Sequence, residues 1–311
     1  MRAIVVNPNV PSRLAITTVG APQPLPNQAI VRVAAISLNR GEIRRAQSAE
    51  AGWRIGWDLA GTIEQVAADG SGPPVGTRVV GFLPEGAWAE RVAVPTHALA
   101  ALPAGMSFAV AATLPVAGLT ALMTLQKGGL LLGKRVLITG ASGGVGYFAC
   151  QLAKAAGATV VGHVRRSERV SFVRATGVDQ VVEGETPEMA AQYGDYDLIL
   201  DSVGDRVLPV ALSLLAPGGV CVTFGSTAGR ESLVNVGNFY GKGGLQLYGF
   251  ILFHEVLQQP AAVGLQRLVK LVEQGKLKPH IDLEADWQQV GEVAQQLQNR
   301  AYVGKAILHL D

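Results

Sequence analysis

Residues 135–154, RVLITGASGGVGYFACQLAK, decide the fold. Arg135 to Thr139 is a short apolar run rich in branched side chains, which reads as a buried strand. It ends in a glycine-rich turn spaced Ala141-x-Gly143-x-x-Gly146, the G-x-G-x-x-G fingerprint with Ala at its first position. A helix follows. Strand, turn and helix in this order make a site for a dinucleotide's pyrophosphate. Gly143 lets the backbone approach the phosphates, Gly146 lets helix and strand pack closely, and the first helical N–H groups face the anion. Ala141, Ser142, Gly143, Gly144, Val145 and Gly146 are the expected cofactor turn.

Downstream, apolar strands at 159–164, 180–182, 198–201, 219–224 and 245–249 alternate with amphipathic helices, which calls for a doubly wound parallel sheet. The second strand ends Val164-Arg165-Arg166-Ser167-Glu168-Arg169. A site for NADH places a carboxylate there to bind the ribose 2′-hydroxyl. Guanidiniums suit a 2′-phosphate instead. Arg165 and Arg166, with Ser167 and Arg169 beside them, therefore point to NADPH; the alternative is a solvated basic helix start. Ser202-Val203-Gly204 and Phe224-Gly225-Ser226 follow the fourth and fifth strands at the carboxyl edge, where such sheets bind ligands, and are expected to line the nicotinamide riboside.

Upstream, short strands at 2–6, 29–37, 60–66, 78–82 and 87–94 alternate with Pro- and Gly-rich joints, as in an irregular β-rich domain. A helix from Pro260 through Gln274, a run at 277–283, a helix at 287–299 and a strand at 305–310 are expected to return to it. The expected domains are residues 1–115 with 260–311, and residues 116–259.

With 49% hydrophobic and 16% charged residues among 311, the chain can bury a large core. Its net charge of +2, with dispersed Lys and Arg, speaks against nucleic acid as a partner. Cys150 and Cys221 are the only cysteines and form no C-x-x-C pair, which excludes a disulfide framework and fits a reducing cytoplasm. No secretory leader pattern opens the sequence. Residues 98–126 carry no charge, long enough for a membrane span, but Pro103, Gly105, Pro115 and Gly118 interrupt them. Buried helices, and no membrane, are expected.

In order and spacing, GWDLAG (56–61), LPVAGLTALMTL (114–125), the 140–146 turn, YDLILDSVG (196–204), LLAPGGVCVTFG (215–225) and VGKAIL (303–308) resemble the medium-chain dehydrogenase/reductase superfamily. The likeness is to its zinc-independent quinone oxidoreductase, zeta-crystallin-like branch, and covers essentially the whole chain. It implies an α/β fold: a GroES-like β-rich domain plus a Rossmann doubly wound parallel-sheet domain. It also implies hydride transfer from NADPH to a small-molecule quinone or enone.

By the same resemblance, Asn39 faces the nicotinamide end, and Thr120 lies near nicotinamide or phosphate. Phe250 and Leu252 would approach the carboxamide through backbone groups. Many relatives hold a catalytic zinc. Here Asn39 stands where the first thiolate would be, Trp57-Asp58 replaces a His-Glu pair, and the cysteine-rich structural-zinc lobe is missing, so no metal is expected. Where related reductases carry a Tyr beyond the Asn39 position, this chain has Arg44 and Arg45. Arg44 cannot donate a proton but could stabilise an enolate oxygen while water supplies one. Asn39 could instead be a turn residue and Arg44 a surface charge. Two alternative functions stay open: an NADPH-binding protein with little or no catalysis, and an enoyl-thioester reductase. The apolar edge at 245–252 is expected to pair with its copy in a homodimer.

Overall fold

The computed structural model describes residues Met1–Leu310 as two compact units: Met1–Leu119 with the chain from Val256 onward, and Thr120–Glu255. These breaks lie four residues from the expected ones at 115/116 and 259/260.

In the first unit, β1 (Arg2–Val6) and β2 (Leu14–Thr18) form an antiparallel pair. Then come β3 (Gln28–Ser37), β4 (Asp58–Gln65), β5 (Arg78–Phe82), β6 (Arg91–Pro95) and β7 (Leu99–Ala101). The long β3 is the hub. Its first half pairs with β6, its length with β4, and its end with the strand that closes the chain, the switch of partners being accommodated by two register shifts against β4. Apart from Arg32, its side chains point into packed surroundings, which explains the sequence QAIVRVAAIS.

The uncharged segment 98–126 is broken as its Pro and Gly demand. It contains β7, a helix Phe108–Ala112 capped by the Ser107 hydroxyl, a π-helical turn Leu114–Gly118 and a helix Leu119–Gln126. No helix among the described residues is long and apolar enough to cross a membrane.

The second unit carries β8 (Arg135–Ile138), β9 (Thr159–Val164), β10 (Gln180–Glu183), β11 (Tyr196–Asp201), β12 (Leu215–Thr223) and β13 (Gln246–Gly249). They form one parallel sheet in the order β10-β9-β8-β11-β12-β13. The strand order reverses between β8 and β11, the switch point at which such sheets bind dinucleotides. Leu137, Val161, Ile199 and Cys221 from four neighbouring strands share one buried cluster. The chain then returns to the first unit through a helix Ala261–Glu273, β14 (Ile281–Asp286), a helix Val290–Gln298 and β15 (Lys305–His309). There β15 joins β14 to β3.

Candidate functional site

In the second unit the glycine turn leaves β8 and enters the helix Gly144–Ala155. Gly140 sits at φ +60°, and a Cβ there would lie 2.5 Å from the Ser202 Oγ. At Gly146 a Cβ would meet the Gly140 carbonyl oxygen at 2.4 Å and the Ala141 Cα at 2.7 Å, so the strand end and helix touch through backbone alone. The first intrahelical bond runs from the Tyr147 N–H to the Gly143 carbonyl. The N–H groups of Gly144, Val145 and Gly146 precede it and point out of the helix start. Ala141 is buried, its N–H bonded to the His163 carbonyl; Ser142 is half-buried. This cradle fits a dinucleotide's pyrophosphate.

Arg165, Arg166 and Ser167 are exposed just past the end of β9 and Arg169 half-buried, with Arg166 3.6 Å from Glu168. The loops after β11 and β12 are brought together. Thr227 and Ala228 N–H groups donate to the Ser202 and Val203 carbonyls, and Gly225 lies so close that a Cβ would be 2.8 Å from the Ser202 oxygen. Buried Asp201 folds the first loop: it accepts from the Thr139 hydroxyl at 2.6 Å and from the Val203 and Gly204 N–H groups. Burial pushes its carboxyl up, opposed by these donors. Phe224 and Ser226 are half-buried in the second loop. Phe250 and Leu252 side chains are buried, with the Phe250 N–H bonded to the Thr223 carbonyl, and Thr120 is buried on its helix.

In the first unit a buried ionic cluster surrounds Asn39. Its Nδ2 donates to Asp58 Oδ2 at 2.7 Å and to Glu42 Oε1 at 3.2 Å, and its Oδ1 accepts from Lys305 Nζ at 2.6 Å. Glu42 also accepts the Asn39 and Trp57 N–H groups, while Asp58 Oδ1 accepts the Val116 N–H from the π-helical turn. Lys305 donates to the Leu38 carbonyl at 2.9 Å and lies 3.5 Å from Asp58. Burial raises both carboxyls; Asp58 raises Glu42 further, Lys305 opposes both shifts, and Lys305 is itself pulled down by burial. The N–H groups of Asn39, Trp57 and Val116 all donate to these two carboxylates. Arg44 is exposed on the helix Arg40–Ala46.

Two family models match. Residues 25–104 fit the alcohol dehydrogenase GroES-like domain, and residues 144–266 fit the zinc-binding dehydrogenase domain. A quinone oxidoreductase of Pseudomonas aeruginosa is 30% identical over 305 residues, 92% of each chain. The chain belongs to the medium-chain dehydrogenase/reductase superfamily, in its quinone oxidoreductase branch. A mycobacterial member of known structure, complexed with NADPH, matches with a TM-score of 0.88 at 26% identity, covering 100% of both chains. The spectinabilin polyketide synthase protein NorB of Streptomyces orinoci is 34% identical over 291 residues; the match takes in 91% of this chain but 13% of that protein. This medium-chain reductase is therefore an oxidoreductase with a dinucleotide-binding fold.

Zinc-dependent members of the superfamily raise the question of a metal at Asn39 and Asp58. The two side chains do meet, but their oxygens already hold the Lys305 ammonium, and neither thiolate nor imidazole joins them. No group of three or more His, Cys, Asp or Glu side chains disposed to hold a metal occurs among the described residues. The donors at this place do not fit zinc. Glu42, Lys305 and Asp201 are the residues that sequence reasoning missed. Only Glu42 had a local signal, the N-x-x-E spacing of a capping box with Asn39.

Proposed function

We propose that the chain reduces a quinone or an α,β-unsaturated carbonyl compound with NADPH and without a metal. The observation that carries this reading is the glycine cradle followed, at the end of β9, by exposed Arg165 and Arg166 where a carboxylate would select NADH. In this reading Gly143 to Gly146 hold the pyrophosphate, Arg165, Arg166, Ser167 and Arg169 the 2′-phosphate, and the loops of Ser202, Val203, Phe224, Gly225 and Ser226 the nicotinamide riboside. Thr120 and the backbone of Phe250 and Leu252 complete the pocket for the ring.

Bound nicotinamide supplies a hydride. Asn39 has committed both amide protons to Asp58 and Glu42 and its Oδ1 to Lys305, so in this reading it fixes the buried cluster in place. Arg44 stabilises the oxygen on which negative charge develops, and water supplies the proton, to the α-carbon of an enone or to the oxygen of a quinone. Cys150 and Cys221 are buried and unpaired, burial pushing the Cys150 thiol up to about 12, in keeping with a cytoplasmic location. The exposed edge β13, with Leu247 and Ile251 open to solvent, pairs with its copy in a homodimer; a monomeric mass in solution would refute that pairing.

Titration with NADPH and NADH tests the cofactor assignment. NADPH should bind more tightly, and Arg165→Ala/Arg166→Ala should weaken NADPH by about 10–100-fold while leaving NADH near its original affinity. Equal affinities in the unaltered protein would overturn the assignment. Tight NADPH binding without turnover of any quinone or enone would make the chain a binding protein.

A further inference from the structure

We propose that His163, on β9, is a positioning residue for the adenosine half of the dinucleotide, its imidazole fixing the loop after β10 as a wall beside the place assigned to the 2′-phosphate. This rests on the cofactor reading above and adds a residue that acts through the backbone of Gly184.

All the parts lie in the second unit. β9 runs between β10 and β8, and its last residues, Gly162, His163 and Val164, lead directly into Arg165 and Arg166. A Cβ at Gly162 would meet the Val173 side chain at 2.8 Å, so that residue faces the helix Val170–Arg174, and His163, next along the strand, faces the other side of the sheet. There it is buried. Ile138 stands opposite both Gly162 and Leu200, so Thr139, one residue on, separates His163 from Asp201 in a buried polar row across three strands.

His163 holds two parts of the cofactor site at once. Its carbonyl accepts the Ala141 N–H of the glycine turn at 3.1 Å, and its Nε2 lies 2.9 Å from the Gly184 carbonyl oxygen. The Gly184 N–H in turn donates to the Val164 carbonyl at 3.1 Å. Gly184, the residue after β10, is thus held at both of its backbone groups by the end of β9.

A carbonyl only accepts, so Nε2 carries the proton and Nδ1 a lone pair. The second observation is that Nδ1 is buried and has no hydrogen-bond partner among the described residues. Burial, opposed by the Gly184 carbonyl, Asp201, Glu188 and Glu185, holds the ring below its ordinary value, so it is uncharged at neutral pH. For stability alone an imidazole is a poor occupant of this position. One neutral hydrogen bond returns less than a buried polar atom without a partner costs, and an apolar side chain would avoid that orphaned nitrogen. What the imidazole supplies is the place of Gly184. Without its bond the segment 184–188 loses one of its two ties to the strand end where Arg165 and Arg166 begin, and a wall that the cofactor must first order subtracts that ordering from binding.

The test uses the full chain with His163→Leu, which fills a similar space without a nitrogen, and His163→Gln, whose amide N–H reaches for the same carbonyl. The probes are NADPH, NADH and, for the adenosine half alone, ADP, each titrated calorimetrically. His163→Leu should bind all three about tenfold more weakly with the preference between NADPH and NADH unchanged, and His163→Gln should recover most of the loss. Where a quinone turns over, the same factor should appear in KM for NADPH and not in kcat. His163→Asn, too short to reach Gly184, should repeat the loss and replaces His163→Leu should that variant fail to fold. Unchanged affinities in His163→Leu overturn the proposal. So does a loss confined to NADPH, which would put the effect on the 2′-phosphate, and so does a Gln variant no better than Leu, which would make His163 a packing residue. Failure of the cofactor reading shows separately, in the unaltered protein, as binding of neither dinucleotide, and overturns the positioning role with it.

Discussion

Among the described residues Lys305 is the cation paired with buried Asp58, and replacing it by Met removes that counter-charge. Asp58 is fully buried and Lys305 is 3% exposed, so water cannot take over the lost interaction. Asp58 would keep two N–H donors, from Asn39 at 2.7 Å and Val116 at 2.9 Å, but no counter-charge. Breaking one side of a buried ion pair costs about 3–5 kcal/mol. With a denaturant slope of about 3 kcal/mol per molar, the urea midpoint of the first unit should drop by about 1–2 M at pH 8. At pH 5 the loss should shrink, because the Asp58 carboxyl, already raised, can then take up a proton. Lys305→Met/Asp58→Asn removes both charges and should recover more than half the loss. Urea unfolding followed by tryptophan fluorescence reads it. A Lys305→Met midpoint within error of the unaltered protein, or a double variant whose losses simply add, would refute the account of the cluster.

The unaltered cluster has its own pH signature. Glu42 and Asp58 have folded values above their ordinary 4.5 and 3.8, so in the window above those numbers the folded state holds protons that the unfolded chain has released. Stability from these two groups falls as pH rises through that window. Urea midpoints at intervals from about pH 5 to 7 should therefore decline more steeply in the unaltered protein than in Asp58→Asn; a shallower decline would contradict the raised values. At the glycine turn, Gly146→Ala puts a Cβ 2.4 Å from the Gly140 oxygen. It should cost about 1–3 kcal/mol in stability and at least tenfold in NADPH affinity, read by thermal unfolding and titration; unchanged binding would mean that the turn does not hold the pyrophosphate.

The second unit was largely legible because its signals are local. The turn Gly140 to Gly146 and the strands β8, β9 and β11 are contiguous patterns whose burial alternates with helices, and the expected run 159–164 coincides with β9. The first unit was less so. β2 was missed because LAITT is half-exposed and short, and the expected strand at 87–94 is a later, shorter β6 at Arg91–Pro95. Residues 277–283 yield a strand only from Ile281, where β15 offers it a partner. The ionic cluster was invisible for a simple reason. Lys305 reaches Asn39 across 266 residues, and no window of sequence contains both. Asn39 itself stands out in the sequence, but its commitment to Glu42, Asp58 and Lys305 is a property of the sheet in which β3 pairs with both β4 and β15.

The most direct test of the central claim is NADPH oxidation by chelator-treated protein over a panel of quinones and conjugated enones. The account predicts steady, substrate-dependent consumption of NADPH that chelation does not diminish and that Gly146→Ala suppresses. No consumption with any quinone or enone, or activity that returns only when zinc is restored, would contradict it.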